Sequence, residues 1–300
     1  MTSALILAAG FGTRLRPLTL ERPKPVVPVG DRALLAHVAE GCRRAGITTL
    51  IANAHHEHEK LRRVIHELAL DVEVVVEPVI RGTAGGVAGA RDRFEPGPVL
   101  VWNGDILTDA PVAALLELAD ERDAQVLAVR PRGEGQGTVG LDDDGRVVRL
   151  RGRSFGRETR SGDYVGVMAL GPGVVARLPE HGCLVGDVAL PCLASGGTVW
   201  SVPSTAPWSD LGDLPAYVAA NFRWLDRLSP RSGSWVAPGV GVPGDVSLRR
   251  CLIGAGAKLA GSGELTEVIA WPGAPLAAPL ARAVVLASGL VVPFQEIAEN

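Results

Sequence analysis

The residues best placed to do chemistry stand in the first thirty positions. Ala4 to Leu7 is a short apolar run that stops at Ala8-Ala9-Gly10, which predicts a buried strand opening into a loop. Gly10 and Gly12 lack a Cβ, so backbone N–H groups there can face a ligand closely. Thr13 and Arg14 follow, and Lys24 stands between Pro23 and Pro25, which stiffen its backbone. A strand ending in a Gly-rich turn, with two cations behind it, describes a phosphate cradle. The spacing lacks the third glycine of the dinucleotide fingerprint and the Gly-Lys-Ser/Thr ending of a P-loop. An NAD(P)-dependent oxidoreductase is disfavoured on that ground.

Three further clusters carry polar chemistry. Asp105 ends the run Val99-Leu100-Val101-Trp102-Asn103-Gly104-Asp105, and a carboxylate in a turn at the carboxyl end of a central strand suits a hard cation. The segment Glu77-Pro78-Val79-Ile80-Arg81-Gly82-Thr83-Ala84-Gly85-Gly86 follows another predicted strand. The Glu77 carboxylate accepts hydrogen bonds only, which suits the donor edge of guanine; the alternative is a cap or an ion pair with Arg81. Gly82, Gly85 and Gly86 would let the backbone lie against a flat base. His55, His56 and His58 have metal-ligand chemistry, but a polar loop at a helix start accounts for them, with Glu57 and Glu59 favourable near its N-terminus. Asn53 and His55 follow a strand end and are candidates to line a cleft.

The elements that must position these groups alternate. Strands are predicted at Ala4 to Leu7, Thr48 to Ile51, Val72 to Val76 and Val99 to Asp105, the last with a polar end. Amphipathic helices lie between them: one is capped by Asp31 and carries Leu34, Leu35, Val38 and Cys42, and the next carries Leu61, Val64, Ile65 and Leu68. A helix from about Val87 to Arg91 continues the Gly-rich segment. This is an α/β pattern with a mostly parallel sheet and ligands at the strands' carboxyl ends. A helix from Pro111 to Arg122, a strand from Ala124 to Val129 and a hairpin around Asp142-Asp143-Asp144-Gly145 follow. That acidic turn is too short for an EF-hand and reads as solvated. After Pro230, apolar residues recur at hexad spacing: Val236, Val242, Leu248, Ile253, Leu259, Leu265 and Trp271. Such spacing marks a left-handed parallel β-helix. The expected division is a domain over 1–228 and a hexapeptide-repeat domain over 229–300. The second reads as a packing or homo-oligomerisation surface, with an acyltransferase site there the weaker alternative.

Composition narrows the partners. A net charge of −3 over 300 residues gives no basic footprint for nucleic acid. Cys42, Cys183, Cys192 and Cys251 lack Cys-x-x-Cys spacing and fit a reducing cytoplasm rather than a disulfide framework or zinc site. No run approaches the roughly 20 apolar residues of a membrane span. A cytoplasmic protein is the expectation.

The opening stretch resembles, almost residue for residue, the signature of sugar-nucleotidyltransferases, the nucleotide-sugar pyrophosphorylases. That signature runs Leu-Ala-Ala-Gly-x-Gly-Thr-Arg-Leu-x-Pro-Leu-Thr, then Pro-Lys-Pro and Pro-Val, here from Leu7 to Val29. The Gly82-Thr83-Ala84-Gly85-Gly86 segment is similar to the mannose-1-phosphate guanylyltransferase-like branch. The resemblance implies a Rossmann-like mixed sheet flanked by helices and transfer of a nucleotidyl group from a triphosphate to a sugar-1-phosphate, with release of pyrophosphate. It implies that Leu7, Ala8, Ala9, Gly10, Gly12, Thr13, Arg14, Glu77, Gly82, Thr83 and Asn103 hold the nucleotide, with GTP favoured. Arg14 and Lys24 are the implied catalytic cations. Asp105 matches the family's Gly-Asp, and Asp210 in Trp208-Ser209-Asp210-Leu211-Gly212 its second metal carboxylate; both would hold Mg²⁺, although Asp210 also suits a helix N-cap.

On the sugar-phosphate side the resemblance implies Lys24, Asp105, Tyr164 and Gly166. Where many relatives carry Glu-Lys-Pro, this chain has Arg149-Leu150-Arg151-Gly152-Arg153 and, further on, Arg157 and Arg160. An arginine such as Arg151 is expected to take over the phosphate through its planar fork, and the sequence does not choose which. Two alternatives share the signature: a uridylyltransferase acting on N-acetylmuramic acid 1-phosphate or another sugar phosphate, and a non-catalytic regulatory subunit that binds sugar nucleotides.

Overall fold

A computed structural model describes residues 2–228 and 233–295. Residues 229–232, where the sequence places the domain boundary, lie outside the described residues. The chain divides into two compact units, Met1–Gly10 with Leu35–Trp208, and Phe11–Leu34 with Ser209–Asn300.

The first unit is built on the expected sheet. Ser3–Leu7 pairs in parallel with Thr49–Ala54 on one side and Val99–Asn103 on the other, and Glu73–Val76 extends the sheet beyond Thr49–Ala54. The register sets Leu7 beside Asn53 and Asn103, so three strand ends share one edge. Arg160–Leu170 then runs antiparallel to Val99–Asn103, followed by Gln125–Arg132 and, parallel to that, Trp200–Pro203. Leu5, Ile51, Val99, Val101, Leu127, Val129, Met168 and Leu170 form the core beneath the helices. Burying each such side chain stabilises the fold by about 1.5–3 kcal/mol, which explains the near-continuous apolar runs of these strands.

Two helix starts differ from expectation. The helix expected from Val87 begins at Gly82 and ends at Gly89. Asp31 lies in the turn of a small hairpin, Pro28–Val29 with Arg32–Ala33, ahead of the helix Leu34–Arg44. It pairs with Arg32 there rather than capping the helix.

In the second unit the hexad region forms parallel strands stacked in successive rungs. Trp235–Val236 pairs with Leu252–Ile253, which pairs with Ile269 and Ala270, so partners fall just short of three hexads apart. Leu248 faces Leu265, and Leu265 faces Leu280. Ile253 and Leu265 are fully buried, and Val236, Leu248 and Leu259 pack partly against the same cluster. Val242 is the exception: it stays exposed in the loop before Val246–Arg249.

This stack carries the chain's opening segment within the same unit. Tyr217, on the helix Leu214–Leu228, donates its hydroxyl to the Pro28 carbonyl at 2.7 Å and accepts the indole N–H of Trp271 at 2.9 Å. Asn221 accepts the Gly30 N–H at 2.9 Å, and the Glu21 carboxylate accepts the N–H groups of Ala287 and Ser288. Gly30, at φ +61°, lies on the Trp224 ring, where any side chain would collide.

All four cysteines are free thiols, and burial pushes Cys42 up to about 12. Among the described residues no helix is long and apolar enough to cross a membrane.

Candidate active site

In the first unit the end of the opening strand is fixed by a chain of hydrogen bonds. The Leu7–Ala8 peptide is held at both ends: its carbonyl accepts the Gly104 N–H at 2.9 Å, and its N–H donates to Asn53 Oδ1 at 2.8 Å. Asn53 Nδ2 in turn donates to Glu77 Oε1 at 2.7 Å, and Glu77 Oε2 accepts the Arg81 N–H at 3.2 Å. His55 Nδ1 lies 2.8 Å from the Glu77 carbonyl. Asn53 and Glu77 are 3% and 4% exposed, so neither side chain faces solvent. Both Glu77 oxygens thus meet internal donors in a buried setting.

The glycines of the next segment are required by internal packing. A Cβ at Gly82, at φ +75°, would run into the Gly182 carbonyl, and one at Gly85 into the Glu180 carbonyl. A Cβ at Gly86 would stand 2.6 Å from Asn53 Nδ2 and 3.0 Å from Glu77 Oε1. Thr83 Oγ1 accepts the Leu184 N–H at 2.8 Å, so that hydroxyl also serves the packing of the helix.

Asp105 lies half-buried in the turn between Val99–Asn103 and Ile106–Thr108, directly after the Gly104 that holds Leu7. Gly166, at φ +82°, sits at the irregularity of the long strand Arg160–Leu170, where a Cβ would crowd Ile106 and Asn103. Tyr164 packs against the main core, and burial holds its hydroxyl far above the ordinary phenol range. The side chain as a whole is partly buried.

The arginines that replace the family lysine separate by partner. Arg149 grips Glu158 with two bonds, Nε to Oε2 at 2.6 Å and Nη2 to Oε1 at 2.9 Å, and Ser161 adds a third to that carboxylate. Arg160 holds the carbonyls of Asp142 and Asp143, and Arg153 stacks on the Phe155 ring. Arg151 Nη2 reaches Cys183 Sγ at 3.4 Å. Arg149 and Arg160 are therefore structural.

The hydrogen bonds from Arg149 and Ser161 hold the Glu158 carboxyl down at about 2. A depressed carboxyl adds stability that is complete above the ordinary carboxylate range and fades as pH falls through the folded value. Glu158→Gln is therefore expected to flatten the loss of stability between about pH 4.5 and pH 2 seen in denaturation series of the parent protein. An unchanged acid limb would remove this pair from the acid response.

In the second unit Gly12, at φ +63°, opens the short turn Thr13–Leu15, and its carbonyl accepts the Thr19 hydroxyl at 2.8 Å. A Cβ there would lie 3.0 Å from Thr19 and 3.2 Å from Lys24 Cβ, so this glycine lets the turn close onto the Thr19 and Lys24 side chains. Gly10, by contrast, borders open space. Arg14 and Asp210, remote in sequence, meet around Gly212: a Cβ on that residue would be 3.0 Å from Arg14 Nη1 and 3.2 Å from Asp210 Oδ1.

The carboxylates here suit a hard cation that needs few protein ligands. Among the described residues no three His, Cys, Asp or Glu side chains gather as a ready-made cage. Mg²⁺ asks for less, taking one or two carboxylates and completing its shell with phosphate and water. Asp105 in its turn and Asp210 at the end of the strand Trp208–Asp210 are single carboxylates of that kind.

These features define an α/β protein whose sheet gathers polar main chain and a carboxylate at the strands' carboxyl ends, the usual ligand edge of such sheets. The chain belongs to the nucleotidyl transferase family, whose model matches residues 3–227, and it is a nucleotidyltransferase enzyme. A probable mannose-1-phosphate guanylyltransferase 1 from Oryza sativa subsp. japonica is 27% identical over 272 residues, 84% of this chain and 74% of that protein. A probable mannose-1-phosphate guanylyltransferase 2 from Arabidopsis thaliana is 29% identical over 278 residues, again 84% and 74%. Among solved structures, HddC from Yersinia pseudotuberculosis complexed with GMP-PN superposes with a TM-score of 0.62 at 21% identity, covering 75% of this chain and all of that one, a likeness of fold.

Proposed function

We propose that this protein transfers a nucleotidyl group from GTP to mannose-1-phosphate, giving GDP-mannose and pyrophosphate. The observation that carries the reading is the meeting of Arg14 and Asp210 around Gly212. A cation suited to phosphate there adjoins a carboxylate suited to a metal, in a chain whose relatives include named mannose-1-phosphate guanylyltransferases. The attacking sugar phosphate is already ionised, so no protein nucleophile is required. What the chain supplies is alignment and positive charge.

In this reading Gly12, Thr13 and Arg14 hold the triphosphate, and the main chain of Ala8 to Gly10 is assigned to the nucleotide. Lys24 neutralises the phosphates flanking the transfer. Arg151, unlike Arg149 and Arg160, is not locked to a carboxylate or a turn and is assigned to the sugar phosphate, with Gly166 leaving room for the sugar. Base choice is assigned to the Pro78 to Thr83 stretch, where Val79 and Ile80 are exposed. Asp105 in the first unit and Asp210 in the second are each assigned as carboxylates for Mg²⁺, which would supply charge neutralisation at the triphosphate. The stacked strands after Pro230 are read as a left-handed β-helix that backs the opening segment.

Purified protein given each nucleoside triphosphate, a panel of sugar-1-phosphates and Mg²⁺ is expected to release pyrophosphate fastest with GTP and mannose-1-phosphate. Fastest release with UTP and N-acetylmuramic acid 1-phosphate would replace the substrates while keeping the reaction. Inactivity with every pair, beside clear binding of a nucleotide sugar, would favour a regulatory subunit.

A further inference from the structure

The geometry points to Asn53 and Glu77 as a polarity-matched pair that positions the nucleotide, with Glu77 acting through Asn53 on the Leu7–Ala8 peptide rather than on a base. This rests on the reading of Ala8 to Gly10 as part of the nucleotide site. Each link is a buried or part-buried hydrogen bond with a defined direction. The Ala8 N–H donates to Asn53 Oδ1, Asn53 Nδ2 donates to Glu77 Oε1, and the Arg81 N–H donates to Glu77 Oε2. The relay therefore ties the strand end before Gly10 to the start of the helix Gly82–Gly89. Gly86 belongs to the same arrangement, since a Cβ there would press on both side chains. The other end of the Leu7–Ala8 peptide is held by Gly104, so losing the relay frees one end of a peptide clamped at two.

The direction of these bonds makes the proposal testable. In Glu77→Gln one carboxylate oxygen becomes an NH₂ group. Placed toward Arg81 it meets another N–H, and placed toward Asn53 it meets another NH₂. Turning the Asn53 amide only moves the conflict to the Ala8 N–H. In Asn53→Asp two carboxylates face each other across the 2.7 Å contact. In the double variant Asn53→Asp/Glu77→Gln every pair matches again with the central bond reversed. The new carboxylate at position 53 accepts from the Ala8 N–H and from the new amide NH₂ at position 77, whose oxygen accepts from the Arg81 N–H.

The experiment compares the parent protein, both single variants and the double variant. It measures KM for each nucleoside triphosphate and for the sugar phosphate, the melting temperature, and hydrogen exchange at the Ala8 amide. Each single variant is expected to raise the triphosphate KM about tenfold, the scale of one unsatisfied buried donor, by a similar factor for every base accepted. The sugar-phosphate KM stays where it was, and Ala8 exchanges faster. The double variant is expected to recover Ala8 protection and most of the triphosphate KM.

A Glu77→Gln variant that alters the ratio between bases, with no recovery in the double variant, would return Glu77 to base reading and overturn the proposal. So would normal Ala8 protection in both single variants. If the parent protein releases no pyrophosphate with any substrate pair, the functional reading fails, while the Ala8 exchange and melting series still decide whether the relay exists.

Discussion

Lys24→Ala is expected to lower pyrophosphate release by about 10²–10³-fold, the usual cost of removing one charge-stabilising group from a transition state. The fold should survive. Lys24 opens the short turn Lys24–Val26, whose buried members are Pro25 and Val26, and the lysine side chain itself is only half-buried. An alanine there keeps the turn and its core contacts, so melting should move little. Lys24→Arg should not restore the rate in full, because a planar fork and a compact ammonium place charge differently. Asp105→Ala belongs beside it, since removing that carboxylate from its turn leaves the Gly104 bond to Leu7 in place. Near-normal turnover in both variants, measured by pyrophosphate release under saturating substrates, would sink the proposed mechanism.

The second large effect concerns stability. Trp271→Ala is expected to destabilise the protein by about 3–5 kcal/mol, the range for removing a large aromatic side chain from a core. Trp271 is 1% exposed and its indole N–H ends on Tyr217, which in turn holds the Pro28 carbonyl. The loss should therefore reach the segment that carries Lys24, and protease cleavage within residues 11–34 should accelerate along with the fall in denaturant midpoint. Tyr217→Phe is the smaller companion, costing about 1–3 kcal/mol because it orphans a buried carbonyl and a buried N–H together. A Trp271→Ala protein with unchanged midpoint and unchanged cleavage would show that the strand stack does not support this segment.

Much of the frame was legible because it obeys simple periods. The alternation of apolar runs with amphipathic stretches gives the order of Ser3–Leu7, Thr49–Ala54, Glu73–Val76 and Val99–Asn103, and hexad spacing finds Ile253 and Leu265 in the second core. Pairings between polar residues have no period. Nothing in the sequence joins Asn53 to Glu77, or Arg149 to Glu158, because each pair is made by register and chain reversal. Glycines were legible as necessary but not as to why: Gly82 and Gly85 suggested a flat ligand, and the close approach they permit is to the Glu180 to Gly182 main chain. Around Tyr164 the strand shifts register before Met168, so simple alternation does not give its facing. Val242 kept the hexad spacing while lying in a loop, so the period overran the element.

The membership of residues 11–34 in the second unit has a consequence for the order of events during synthesis. These residues are synthesised well before their partners Tyr217, Asn221 and Ala287. At roughly 5–20 residues per second, the segment bearing Arg14 and Lys24 waits many seconds for the surface it folds on. A nascent chain arrested before residue 209 would carry the whole opening signature and lack the partners that order residues 11–34. The cationic segment is thus ordered only once these later partners have emerged.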